Sequence, residues 1–124
     1  MSTIIGCKIY IKIDEKLPNA YNYDTIKERK HQLIQKANLI LFLPGGFGTL
    51  DEIFTSIESK RAQEHNHPIV IININHYYDN LLKQLEIMYQ EQFASNNDQS
   101  YYHITTNIEE TIKYIEKLGV KNEQ

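Results

Sequence analysis

Leu39-Ile40-Leu41-Phe42-Leu43-Pro44-Gly45-Gly46-Phe47-Gly48-Thr49-Leu50-Asp51-Glu52 is the stretch whose reading decides the fold. Five apolar residues in a row, Leu39 to Leu43, run straight into Pro44 and a glycine turn. An unbroken apolar run of this length is what a strand covered on both faces requires. After the turn, Leu50, Ile53, Phe54 and Ile57 recur at helical spacing, which predicts a helix from Leu50 to about Gln63. Strand, glycine turn and helix start therefore stand in one line. The free N–H groups at such a helix start, with the helix dipole, form a ready anion site. Glu52 lies about a turn into the helix, where a carboxylate can act on whatever carries the anion.

Outward from this segment the same alternation recurs. Residues 3–13 carry Thr3-Ile4-Ile5 and Ile9-Tyr10-Ile11 and predict one strand. Pro18, Asn19 and Asn22 mark a loop, and Asp24 is placed to cap a helix running to about Ala37. Ile69 to Ile72 is a second continuous apolar strand. A helix is expected from about Tyr78 to Phe93, a polar loop from Ala94 to Ser100, and a short strand at Tyr102–Thr106. The last helix runs to about Leu118 with Ile108, Ile112 and Ile115 inward, and a frayed tail follows. Strands alternating with helices predict a doubly wound, Rossmann-like α/β sheet, parallel and covered by helices on both faces. In such sheets a ligand sits beyond the carboxyl ends of strands, at a switch in strand order.

The 124 residues are expected to form one domain over 1–124, and the lone Cys7 is expected to be a small buried residue. A net charge of −3 argues against a general nucleic-acid or anionic-membrane surface, so phosphate recognition has to be local. The single cysteine leaves no intrachain disulfide and no cysteine-based metal site, and suits a reducing cytoplasm. No apolar run approaches the ~20 residues of a membrane span, and no signal peptide is visible.

The glycine turn is neither a Walker A loop nor a full dinucleotide fingerprint. Thr49 and Glu52 also have the spacing of a capping box, a purely structural use of the same residues. Upstream, Lys30 falls within the apolar stripe of Ile26, Leu33, Ile34 and Ala37, with Arg29 at its edge. Cations there either snorkel past the sheet edge or line a cleft. His65 and His67 read as a polar turn ahead of a metal pair, and His31, His76 and His103 lack ligand or triad spacing. Tyr77, Tyr78, Tyr101 and Tyr102 read as rim packing, and Asn73-Ile74-Asn75 as compositional bias; Tyr23 and Phe47 are options for stacking a base.

Taken together, Arg29-Lys30 and the run Pro44 to Glu52 resemble the Lonely guy (LOG) family, long labelled "possible lysine decarboxylase". The family signature pairs Arg-Lys with Pro-Gly-Gly-x-Gly-Thr-x-x-Glu, and Tyr77-Tyr78-Asp79-Asn80-Leu81-Leu82 resembles a later family segment. The resemblance implies a phosphoribohydrolase that splits a cytokinin riboside 5′-monophosphate or AMP into free base and ribose 5-phosphate. It implies Glu52 and Arg29 as catalytic residues, and Lys30, Gly45, Gly46, Gly48 and Thr49 as substrate-binding residues. It implies no metal or organic cofactor, and a homodimer. Two features depart from the family. Its first two glycine-rich strand turns do not occur, so the chain matches an N-terminally shortened member, and His67-Pro68 stands where a lysine often precedes the proline. The shortening leaves two expectations for the exposed side of Leu39–Leu43: the N-terminal strand pairs there, or another chain covers it. It also keeps a second function class open, a nucleotide or phosphorylated-ligand binder without turnover, such as a molybdenum-cofactor carrier.

Overall fold

The computed structural model describes residues 2–5, 8–11, 28 and 38–119. Five strands form one sheet in the order β1-β2-β3-β4-β5, with β1 Ser2–Ile5, β2 Lys8–Ile11, β3 Leu39–Phe42, β4 Ile69–Ile72 and β5 His103–Thr105. The helices are α1 Phe47–Arg61, α2 Asp79–Gln90 and α3 Ile108–Leu118. Short 3-10 segments occupy Ile74–His76 and Asn96–Tyr101. Glu28 is helical, in line with the helix expected over 24–37; the rest of that helix, Cys7, the loop after Asp14 and the tail lie outside the described residues.

The parallel sheet is β3, β4 and β5, with Ile40 opposite Ile69 and Val70 opposite His103. Every residue of β3 and β4 is buried, as their unbroken apolar sequences require. Successive side chains feed opposite faces. Ile40, Phe42, Ile69 and Ile71 pack with Ile53 and Leu50 of α1, Leu81 and Leu82 of α2, and Tyr78. Leu39, Leu41, Val70 and Ile72 pack with Tyr114 and Ile115 of α3. Helices therefore cover both faces. The β3-α1-β4 and β4-α2-β5 crossovers place their helices on one face, as crossovers of the same hand must.

Four findings bear on the expectations, three of them as changes. Residues 3–13 are not one strand: β1 and β2 pair antiparallel, with Ile5 opposite Lys8 across Gly6-Cys7. A two-residue link containing glycine between apolar runs is a hairpin signal, and it outweighs continuity of hydrophobicity. Second, β2 pairs directly with β3, antiparallel, Lys8 opposite Phe42. The N-terminal strand thus pairs along Leu39–Phe42, the first of the two alternatives expected there. Third, strand order follows chain order, so β3 marks a change of strand direction and not a reversal of order. Fourth, Ile108 and Ile112 are about half exposed, where an inward position was expected. α3 is rolled toward Tyr114, whose ring stacks on His103 at 3.7 Å, and toward Thr111, whose hydroxyl meets that of Thr105 at 2.6 Å.

Candidate functional site

α1 begins earlier than its apolar periodicity suggests. Phe47 is its first residue and Gly46 its cap, and the Leu50 N–H closes the first helical bond on the Gly46 carbonyl at 3.0 Å. Thr49 and Glu52 both lie inside the helix, so they form no capping box; no side chain caps this end and no acidic residue stands in its first turn. A helix leaves its first four N–H groups without intrahelical partners. Here they are presented by Gly46, Phe47, Gly48 and Thr49.

The glycines differ in purpose. A Cβ on Gly45 would stand 2.2 Å from the Thr49 hydroxyl oxygen, so the buried Thr49 side chain packs directly beneath that residue. Among the described residues nothing lies within 4 Å of a Cβ built on Gly46 or Gly48, so these two leave that side of the helix start bare. Phe47 is 93% exposed at the same end.

Glu52 sits on the buried stripe of α1 with Thr49, Ile53 and Ser56, and is 2% exposed. A carboxylate taken from water is costly unless it is partnered. Glu52 is partnered, and no buried side-chain nitrogen or oxygen among the described residues lacks a hydrogen bond. Ser56, further along the stripe, donates to the Ile53 carbonyl at 3.0 Å. Three polar side chains thus line the inward face of a helix that the periodicity presents as apolar.

The turn is held from the carboxyl end of β4. The Tyr78 hydroxyl donates to the Leu43 carbonyl at 2.6 Å, and the Tyr77 hydroxyl donates to the Gly45 carbonyl. The two rings meet edge to face, 4.9 Å apart at 83°. Asn73 sets them: its side chain accepts from the Tyr78 N–H at 2.6 Å and donates to Asp79 at 2.8 Å, while its own N–H reaches the Thr105 carbonyl at 2.7 Å. Between them Asn75 and His76 take left-handed backbone angles, φ 54° and 61°. Such angles are uncommon outside glycine and mark a backbone forced into place by its surroundings. The tyrosines are therefore not rim packing and Asn73 is not a compositional accident. The signal was a polar residue directly after an apolar strand, at the edge where ligands bind.

His65 closes the far end of α1. Its buried ring donates from Nε2 to the Ser56 carbonyl at 2.9 Å and accepts the His67 N–H on Nδ1 at 3.1 Å. Burial holds its pKa below the ordinary histidine value. With both ring nitrogens engaged by backbone, His65 supports the expected polar turn. A groove of about 930 Å³ lies elsewhere, between α2, residues 96–101 and β5, and none of the residues from Pro44 to Glu52 lines it. The structure brings Gly45, Gly46, Gly48, Thr49 and Glu52 together at one end of α1; Arg29, Lys30 and Tyr23 lie outside the described residues.

The chain matches the family model described as "Possible lysine decarboxylase" over residues 3–115. It is 28% identical over 92 residues to a cytokinin riboside 5′-monophosphate phosphoribohydrolase of Arabidopsis thaliana, covering 74% of this chain and 43% of that protein. A second phosphoribohydrolase of the same description and organism is 24% identical over 109 residues, covering 88% of this chain and 51% of that protein. The chain spans about a third to a half of the length of the curated relatives it matches. It belongs to this family, known also as the LOG family.

Proposed function

We propose that this chain hydrolyses the N-glycosidic bond of a nucleoside 5′-monophosphate, AMP or a cytokinin riboside monophosphate, releasing free base and ribose 5-phosphate. The observation that carries the reading is the pairing of a bare, uncapped helix start with a buried carboxylate on the same helix, Glu52. The relatives named above are cytokinin riboside 5′-monophosphate phosphoribohydrolases, which supports the substrate class.

In this reading Gly45, Gly46, Gly48 and Thr49 receive the 5′-phosphate on main-chain N–H groups and the threonine hydroxyl. The C1′–N bond breaks toward the base, and positive charge develops on the sugar ring. Glu52 stabilises that charge and takes a proton from the water that adds to C1′. The leaving nitrogen gains a proton as the base departs. Arg29 contacts the substrate as second catalytic residue, and Lys30 assists binding. The enzyme acts in the cytoplasm as a homodimer.

Base release from AMP and from isopentenyladenosine monophosphate, followed by chromatography, tests this. Glu52→Gln is expected to lower kcat by about 10³-fold, the scale of losing an electrostatic catalyst, while phosphate binding persists. Unchanged turnover in the variant removes Glu52 from its role. A second reading, which the uncapped helix start supports by itself, is a nucleotide binder without turnover. Binding of AMP with no base release from the wild-type chain selects it.

A further inference from the structure

We infer that Tyr77 and Tyr78 are positioning residues that aim the main-chain N–H groups of the glycine turn at the phosphate. The inference rests on the reading that the turn binds a phosphate. A trans peptide is planar, and its C=O and N–H point in opposite directions. The Gly45 carbonyl and the Gly46 N–H belong to one such unit. When the Tyr77 hydroxyl takes the Gly45 carbonyl, it also fixes the Gly46 N–H, which points the opposite way from the bonded carbonyl. Tyr78 holds the Leu43 carbonyl at 2.6 Å, and that peptide unit carries no N–H because Pro44 supplies its nitrogen. The strand end is thereby fixed before the turn begins.

The two hydroxyls have different surroundings. Tyr78 is buried and packs in the core beneath α1 and α2, whereas Tyr77 is half exposed. Both are carried by the Asn73 hydrogen bonds and the left-handed pair Asn75-His76, so a strained loop on β4 controls a turn on β3. A residue that only supports the fold would affect every ligand alike. One that orients a phosphate donor affects only ligands bearing the phosphate.

Calorimetric titration of the full chain with AMP, ribose 5-phosphate and adenosine tests this, beside steady-state base release. Tyr77→Phe is expected to weaken AMP and ribose 5-phosphate by about fivefold, the effect of one hydrogen bond. Adenosine affinity and the melting temperature are expected to stay unchanged, with KM raised and kcat within about twofold on the same hydrogen-bond scale. Tyr78→Phe keeps the ring in the core and is expected to act in the same direction. Equal losses for adenosine and AMP, or no loss for either, overturn the inference, as does a wild-type chain that binds no phosphate ligand. Phosphate binding that responds to Tyr77→Phe without any base release sustains the inference and sinks the hydrolase reading alone.

Discussion

α1 and α3 stand in equivalent places and are finished in opposite ways. Each follows a strand of the parallel set, so both amino ends lie at the same edge of the sheet. The chain closes α3 with its own groups. The Asn107 side chain accepts the Glu110 N–H at 2.7 Å, and Glu109 and Glu110 supply negative charge to the first turn. The Glu110 carboxylate also takes the N–H and hydroxyl of Thr106, which hold its carboxyl below the usual range. α1 has a glycine cap, no side-chain partner and no acid in its first turn. Since both helices carry the same positive end, the contrast favours α1 as the place for the proposed phosphate.

The sharpest way to break this comparison is to finish α1 as α3 is finished. Gly46→Asp puts a carboxylate at the cap, and the negative φ of −110° there admits a side chain. Phosphate affinity is expected to fall by about a hundredfold or more, because like charges ~4 Å apart near a protein surface repel by about 4 kcal/mol. Stability is expected to rise by a few tenths of a kcal/mol from the better cap. Undiminished phosphate binding places the anion elsewhere.

A smaller effect separates the glycines. Gly45→Ala drives a methyl into Thr49 and is expected to destabilise by about 1–3 kcal/mol. Gly48→Ala meets nothing and is expected to leave the melting temperature level or raised, while obstructing the phosphate. Thermal melts with and without ribose 5-phosphate distinguish the pair. On the other helix, Asn107→Ala is expected to cost about 1 kcal/mol with AMP affinity unchanged. A change in affinity there would show that the two helix ends are not independent.

The mildest test concerns pH. The His65 ring is neutral and buried at the end of α1, and its pKa lies below the ordinary 6.5. The unfolded chain therefore binds more protons than the folded one around and below that value. The stabilising contribution is present above 6.5 and is lost as pH falls through the lower folded value. Denaturant melts between pH 7.5 and 5 are expected to show this loss, and His65→Gln to flatten it.

Much of this was legible in the sequence because it depends on local patterns. Leu39–Leu43 and Ile69–Ile72 announce doubly covered strands, and Pro44 to Glu52 announces the turn. Pairing direction was not legible from hydrophobicity: Ile4, Ile5, Ile9 and Ile11 serve one long strand or two short ones equally well, and only Gly6 separates the cases. Helix rotation was also hidden, since Ile108 and Ile112 have core chemistry but the stack of Tyr114 on His103 sets the face. Tyr77 and Tyr78 act on carbonyls more than 30 residues away, which no local spacing encodes.

The sequential strand order bears on how the chain reaches this state. Each of the described strands after the first pairs with the one made just before it, so none of them has to be threaded between two already joined. The sheet can assemble by addition at a growing edge, beginning from the hairpin or from the β3-α1-β4 unit. Loop-closure entropy then enters in modest steps. Refolding is expected to proceed without a slow phase of topological origin, although most of its pairs are parallel or separated by a long connection.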